Sequence, residues 1–129
     1  MEETLFDKDG TPVAYIDYND ESTIYFWDGT PISYLDEDNK IYGFNGKHLG
    51  WYEDGIIRNL TGEKNSFNSS SLPGYAKYEP YKSYKKYKPY KSKSIQNTNL
   101  IINTQIVMSL YLSFYYAGKN KEYKAMLNN

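Results

Sequence analysis

The residues best suited to chemistry form a tyrosine- and lysine-rich stretch in the second half of the chain. Six tyrosines recur at a strict period of three: Tyr75, Tyr78, Tyr81, Tyr84, Tyr87 and Tyr90. Lysines lie between and after them: Lys77, Lys82, Lys85, Lys86, Lys88, Lys91 and Lys93. Rings that stack on bases, beside ammonium groups that pair with phosphates, suit single-stranded nucleic acid or another polyanion. The candidate binding residues are therefore the six tyrosines with Lys82, Lys85, Lys86 and Lys88.

The conformation of this stretch is restricted by Pro73, Pro80 and Pro89, which argue against a helix. A period of three matches the polyproline II helix, which would place all six rings along one edge. We call residues 69–94 the arm. Its favoured interpretation is an extended linker or a strap lying over its own domain, and the binding strip is the alternative.

The charge is distributed unevenly along the chain. Residues 1–63 contain 14 acidic and 4 basic side chains, whereas residues 64–129 contain 2 acidic and 11 basic ones. The net charge of −1 therefore hides an acidic body followed by a basic tail. Such a body would repel a polyanion and attract the arm's lysines, so nucleic acid is a possible partner that the sequence does not favour.

Other catalytic or metal-binding groups are few. His48 is the single histidine, and there is no cysteine to act as nucleophile, disulfide partner or metal ligand. The acidic connectors between the repeat units (17–21, 36–38 and 53–54) lack the spacing of a calcium loop, and no phosphate- or dinucleotide-binding motif is present. A pair of connector carboxylates could still perform glycoside chemistry. We expect no enzyme, no cofactor and no metal site.

The elements that must position these residues are given by a repeat centred on four glycines, spaced 19, 17 and 16 residues apart: Gly10, Gly29, Gly46 and Gly62. An aliphatic residue lies five positions before each glycine: Leu5, Ile24, Ile41 and Ile57. A small residue lies four positions after: Ala14, Ser33, Gly50 and Ser66. An aromatic residue lies five positions after: Tyr15, Tyr34, Trp51 and Phe67. The columns define four copies of one unit.

Each unit has the pattern of a β-hairpin. Asp-Gly and Asn-Gly supply the positive φ angles of tight turns, and the flanks are β-branched and aromatic. Residues three and five after the glycine should share one apolar face, with the small residue facing a crowded place on the other. In the fourth unit Asn65 and Arg58 replace apolar residues, which suits a terminal repeat.

The C-terminal segment is apolar but ambiguous. Ile102, Ile106, Leu110 and Phe114 recur every four residues, which favours a helix from about residue 104 to 117. Leu110, Leu112 and Phe114 also alternate with polar residues, as strands do. The polar residues scattered through 95–118 argue against a membrane span. The acidic start, MEETLFDKDG, predicts no secretory signal, so the expected location is cytoplasmic.

The repeat units and the arm together resemble a known family. The units DGTPVAYI, WDGTPISYL and IYGFNGKHLGWYEDGII, followed by KYEPYKSYKKYKPYKS, resemble the small bacterial four-fold beta flower proteins. The resemblance covers roughly residues 4–94. It implies a fold and no substrate.

The sequence thus predicts an all-β fold with four hairpins around a pseudo-four-fold axis (1–68), an extended arm (69–94) and a C-terminal segment (95–129) that contains a helix. The expected function is a non-enzymatic structural or interaction module, with self-association possible in so small a chain. One alternative is nucleic-acid or polyanion binding through the arm. The other is carbohydrate binding by aromatic hairpin faces around Trp27 and Trp51.

Overall fold

The computed structural model describes residues 1–92, which form a closed antiparallel barrel followed by most of the arm. The predicted C-terminal helix lies outside the described residues. The eight strands are β1 (Glu2–Phe6), β2 (Pro12–Asp17), β3 (Thr23–Phe26), β4 (Pro31–Leu35), β5 (Lys40–Tyr42), β6 (His48–Glu53), β7 (Ile56–Asn59) and β8 (Lys64–Phe67). Each strand pairs with the next, and β1 pairs with β8 through Phe6 and Phe67. The predicted all-β fold of four hairpins is confirmed.

A glycine with positive φ closes each hairpin, at +84° for Gly10 and +89° for Gly29. Its amide donates to the carbonyl three residues earlier, and the strand register shifts just beside the turn. The residue before each glycine does not have a positive φ. These loops are therefore not the two-residue turns that the dipeptides suggest, but longer loops with a left-handed glycine and a bulge.

The barrel interior is filled by pairs of one large and one small side chain. Strand pairing places each aliphatic residue of the repeat opposite the small residue of the same hairpin: Leu5 with Ala14, Ile24 with Ser33, Ile41 with Gly50 and Ile57 with Ser66. The four aliphatic residues are at most 1% exposed. The small column is small because a barrel of this size leaves room for only one bulky group per hairpin at this level.

The predicted sharing of one face by the residues three and five after each glycine is wrong. Val13 belongs to the interior cluster, whereas Tyr15 lies in a separate cluster with Tyr25 and Trp27. Alternation along the regular part of β2 sends Ala14 and Ile16 inward and Tyr15 outward, and the bulge beside the turn breaks this alternation. The aromatic column therefore covers the outside of the barrel, where it needs another layer to bury it.

The fourth hairpin departs from the others inside as well as outside. Asn65 occupies the column of Val13 and Leu49 and is fully buried, and its side-chain amide has no hydrogen-bond partner within the described chain. A buried amide without partners costs about 1–3 kcal/mol relative to a satisfied or apolar side chain. Among the described residues, the buried side-chain atoms without a hydrogen-bond partner, on Asn65 and Ser66, both lie in this hairpin.

Glu3, near the start of β1, is a carboxylate held by neutral donors. Glu3 Oε1 accepts hydrogen bonds from the hydroxyls of Tyr18, at 2.6 Å, and Tyr52, at 2.8 Å. Its Oε2 accepts from Asn68 Nδ2 at 3.1 Å. Burial acts to raise the pKa of Glu3, but these hydrogen bonds hold it below its ordinary value. The Glu3 side chain therefore links β1, the first strand of the barrel, to Asn68, which directly follows the last strand.

Candidate functional site: the arm and the barrel face beneath it

The arm runs along the outside of the barrel and is fastened through its main chain. The amides of Lys77 and Lys86 donate to the carbonyls of Gly10 and Gly29, at 2.8 and 2.9 Å. The Ser83 amide donates to the carbonyl of Trp27 at 3.2 Å. All three donors fall on one face of the threefold arm, since they differ by multiples of three. Of the linker and the strap, which the sequence left open together, the structure has the strap.

The hairpin glycines allow the close approach of this main chain. A Cβ added to Gly10 would lie 2.1 Å from the carbonyl oxygen of Tyr75, and one added to Gly29 would lie 2.0 Å from that of Tyr84. Among residues 1–92, nothing lies within 4 Å of such a Cβ at Gly62, in the fourth turn. The first two turn glycines therefore serve both the hairpin and the arm, whereas the described part of the arm does not pass over Gly62.

The arm advances nine residues for each hairpin that it crosses. Lys77 and Lys86 bond to the same column of two successive units, the turn glycine. Ser83 and Ser92 bond to another shared column, two residues before the glycine, where their acceptors are Trp27 and Phe44. The sequence carries the same period, since PGYAKYEPY (73–81) is followed by KSYKKYKPY (82–90). The arm is thus a second repeat in register with the first.

Beneath the arm lies a groove between the first two hairpins, which we call the aromatic groove and define by Tyr15, Tyr25, Trp27, Glu2 and Asp17. Tyr15 and Tyr25 face each other across β2 and β3 and stack with centroids 5.5 Å apart. Trp27 meets Tyr15 edge to face at 5.9 Å. The three rings are at most 5% exposed. Because they lie outside the barrel, the arm provides their cover.

Trp27 also anchors the arm directly. Its indole Nε1 donates to the carbonyl oxygen of Pro80 at 3.1 Å, and its own carbonyl accepts from Ser83. Proline has no amide to donate, so its carbonyl is its sole main-chain hydrogen-bonding group. The indole therefore fastens the arm at a residue whose main chain cannot itself donate a hydrogen bond to the barrel.

Two arm lysines enter the aromatic groove. The Lys82 ammonium lies 4.7 Å from the ring centroid of Tyr15 and 5.2 Å from that of Trp27, and pairs with Glu2 at 2.7 Å. Lys85 pairs with Glu2 at 3.2 Å and with the nearly buried Asp17. Each ammonium thus has both a carboxylate and an aromatic face, which is favourable for a partly desolvated cation.

The same arrangement continues along the arm at three-residue steps. Lys88 pairs with Asp20 at 2.7 Å and with Glu21 at 3.0 Å, in the connector between β2 and β3. Lys91 pairs with Glu21 at 3.3 Å and lies 4.1 Å from the ring centroid of Tyr34. We call Lys82, Lys85, Lys88 and Lys91 the lysine row. Its members all contact the acidic barrel, as the charge distribution led us to expect.

The electrostatics of these pairs favour the charged forms on both sides. Burial acts to raise the pKa of Asp17, but hydrogen bonds from Lys85 and the Asn19 amide hold it below its ordinary value. Hydrogen bonds from Lys88 and Tyr25 lower the pKa of Asp20. The Asp17 carboxylate raises the pKa of Lys85. Exposed pairs contribute about 0.2–1 kcal/mol each, so the arm depends on several of them acting together.

The six tyrosines of the arm form a third, outward face, which we call the tyrosine row: Tyr75, Tyr78, Tyr81, Tyr84, Tyr87 and Tyr90. Each is between 82% and 98% exposed. Neighbouring residues of the row lie about 9 Å apart along a polyproline II helix. Six large aromatic side chains exposed in one regular row are typical of a contact surface.

The candidate binding residues are therefore divided between two sides of the arm. The tyrosine row faces solvent, whereas Lys82, Lys85 and Lys88 face the barrel acids. Lys86 approaches Asp28 at 3.9 Å and Thr30 Oγ1 at 3.3 Å. A polyanion that used rings and lysines together would have to compete with these carboxylates.

The remaining candidates have structural surroundings. His48 Nε2 lies 3.0 Å from the Gly50 carbonyl, and its ring contacts Tyr42 and Trp51 with centroids 5.3 and 5.0 Å away. Burial lowers the pKa of His48. Trp27 lies under the arm, so a sugar could stack on it only after the arm moved. Within residues 1–92, no helix could span a membrane and no cluster of three acidic or histidine side chains is arranged for a metal.

Sequence reasoning did not single out Tyr15, Tyr25 and Asp17 as residues that line the aromatic groove. The signal that could have located them is the nine-residue period of the arm, because a strap that repeats must lie on a surface that repeats. If each nine-residue segment of the arm is placed beside one hairpin, Lys82 lies next to Tyr15, a member of the aromatic column.

The family assignment completes the description of the site. The family model described as the 4-fold beta flower protein matches residues 3–104, about four-fifths of the chain. The chain belongs to this family. No curated protein and no solved structure matches it. The family's fourfold design is visible here as four hairpins closed into one barrel, and the matched region includes the whole tyrosine row. The fold and the family together describe a small β module.

Proposed function

We propose that this 4-fold beta flower protein is a non-enzymatic interaction module whose contact surface is the tyrosine row. The observation that carries the proposal is the orientation of the arm. Its lysines and main chain contact the barrel, and its six rings stand 82–98% exposed. An arm that served only to cover the aromatic groove would need no apolar side chains on its outer face.

The physical properties of the row suit a contact surface. Tyrosine combines a large ring with a hydroxyl that can hydrogen-bond at the edge of an interface, and ordering it costs little conformational entropy. The arm holds the rings at a fixed period, so part of that entropy has already been lost before binding. The row can stack against another protein, a glycan or unpaired bases.

The test compares the wild-type chain with a variant in which all six tyrosines of the row are replaced by serine. Both are examined by sedimentation for self-association, and titrated with single-stranded oligonucleotides and a glycan panel at low and moderate salt. We expect the wild type to associate with itself or with one of these classes, and the variant to lose that association. Unchanged amide exchange at Ser83 and Lys86 is the control that the arm stays docked.

Two results would contradict the proposal. One is identical behaviour of wild type and variant in every titration and in sedimentation. The other is turnover of a substrate by the purified chain that is lost on replacing a connector acid. Binding of oligonucleotides that survives in the variant but weakens with salt would instead assign recognition to the lysines, as the polyanion alternative requires.

A further inference from the structure

The aromatic groove has the composition of a site that recognises polyproline II peptides. Modules that bind proline-rich segments present a groove lined by aromatic rings, on which an extended, preformed helix docks at low entropic cost. Here Tyr15, Tyr25 and Trp27 form the floor, and the bound segment is the chain's own arm. The Trp27 indole donates a hydrogen bond to the main-chain carbonyl oxygen of Pro80.

Charge gives the groove its selectivity. Glu2 and Asp17 line it, and Asp20 and Glu21 follow along the path of the arm. These carboxylates receive ammonium groups placed every third residue, which is the spacing that puts side chains on one face of a polyproline II helix. A peptide must therefore have both the extended conformation and the lysine period to fill the groove.

The contacts do not depend on the identity of the outward side chains. The main-chain donors of Lys77, Ser83 and Lys86 form one face, the lysine row forms the second, and the tyrosine row forms the third. Any segment with the first two faces would satisfy the barrel equally well. The arm is thus one member of a class of ligands that fit this surface.

We propose that the aromatic groove is a peptide-recognition site, occupied in cis by the arm, which binds in trans a segment of another protein that is extended, contains proline and carries lysine at every third position. The cis arm competes with such a partner at an effective concentration of roughly millimolar, as expected for a short tether. The arm therefore sets an affinity threshold, and a partner with additional contacts exceeds it.

This inference is independent of the proposed role of the tyrosine row, because the two surfaces lie on opposite sides of the arm. The probe is a fluorescent peptide with the sequence of residues 73–92. Its first control has the same composition with each lysine of the lysine row moved by one position. Its second control has all six tyrosines changed to serine, and we expect it to bind within about threefold of the original, since the tyrosines do not face the groove.

The receptor is the full chain with its own arm weakened. In one variant Lys82, Lys85 and Lys88 are replaced by serine. In a second, Ser83→Pro and Lys86→Pro remove two main-chain donors while keeping a polyproline II conformation. Amide exchange of the arm reports release, and exchange of the barrel strands reports that the fold is intact.

We expect the peptide to bind a released receptor at least about tenfold more tightly than the intact chain, whose groove is filled at a high effective concentration. The shifted-lysine control should bind at least about fivefold more weakly, because its lysines no longer meet the carboxylates. The original peptide should weaken similarly when Asp17→Asn is added to the receptor, because Lys85 of the peptide loses the charge of its nearly buried partner. Raising salt from low to moderate concentration should weaken binding.

Several outcomes would overturn the proposal. Equal affinity of the intact and released chains shows that the groove is not the binding site. Equal affinity of the shifted-lysine control shows general charge attraction without recognition. An arm that stays docked in both variants, or a barrel that unfolds with arm release, shows that the arm is a permanent part of the fold. Concentration-dependent dimers with exchanged arms would assign the groove to a second copy instead of another protein.

Discussion

The docking of the arm on the hairpin turns can be tested by substituting one glycine and using another as its control. Gly29→Ala and Gly62→Ala both force a Cβ onto a residue with positive φ, +89° and +85° respectively. This backbone penalty is about 1–2 kcal/mol for either change. The two substitutions differ in what surrounds the new Cβ, since the arm passes over Gly29, whereas nothing in the part of the chain that the structure describes lies within 4 Å of a Cβ at Gly62.

The size of the additional effect at Gly29 follows from the geometry. The new Cβ would lie 2.0 Å from the Tyr84 carbonyl oxygen, and real separations essentially never fall under 3.0 Å, so the arm must retreat. The hydrogen bonds of the Lys86 and Ser83 amides, at 2.9 and 3.2 Å, cannot survive a displacement of that size. Two such bonds contribute about 1–3 kcal/mol to docking, which corresponds to arm opening that is about 5- to 150-fold more frequent.

The assay is amide hydrogen exchange at Lys77, Ser83, Lys86 and Ser92, measured beside barrel amides in both variants. In Gly29→Ala the arm amides should exchange faster by this factor, with Ser83 and Lys86 affected most. In Gly62→Ala they should exchange as in the wild type, while the free energy of unfolding falls by a similar backbone penalty. Equal acceleration in both variants would refute the reasoning, because it would trace arm release to barrel strain. Unchanged arm exchange in both would show that the arm does not lie over Gly29.

Three further predictions concern pH and the barrel. The carboxylates that hold the arm have pKa values lowered from 3.8 or 4.5, so their contribution is complete above those values and is lost as the pH falls through the folded-state values. Fluorescence of Trp27, recorded in a Trp51→Phe background, should therefore report exposure of the groove on acidification and no change between pH 6 and 8. Glu3→Gln should lower the free energy of unfolding by about 1–3 kcal/mol in thermal or urea melts, since a charged acceptor of three hydrogen bonds is lost. Asn65→Leu should raise the same quantity by about 1 kcal/mol, because it replaces an unsatisfied buried amide with the apolar residue type of its column.

Much of the fold could be predicted from the sequence because each column of the repeat keeps the residue type that its place in the barrel requires. The column of Leu5 and Ile24 is aliphatic since it fills the barrel, and the column of Gly10 and Gly29 is invariant among the four units since each turn needs a left-handed residue. The period of three in the arm likewise predicted an extended helix with its rings on one edge.

The failures arose where local pattern and tertiary register disagree. Alternation within β2 suggested that Val13 and Tyr15 share a face, but the bulge beside the turn shifts one of them. The contacts of Lys85 could not be derived from spacing, since they depend on which of three arm faces meets the barrel. The sequence distinguishes the tyrosine face from the others, but only the main-chain bonds to Trp27 and Gly29 determine which side is inward.

The nine-residue period of the arm has a consequence for how such proteins can change length during evolution. An insertion of one residue in the arm would rotate every later side chain by a third of a turn. Tyrosines would then face the barrel acids where lysines face them now. An insertion of three would restore the faces but carry each main-chain donor past its acceptor on the hairpin. Only additions or losses of nine residues preserve both, and these match the gain or loss of one hairpin. We therefore expect that, in evolution, one nine-residue segment of the arm is gained or lost together with one hairpin of the barrel.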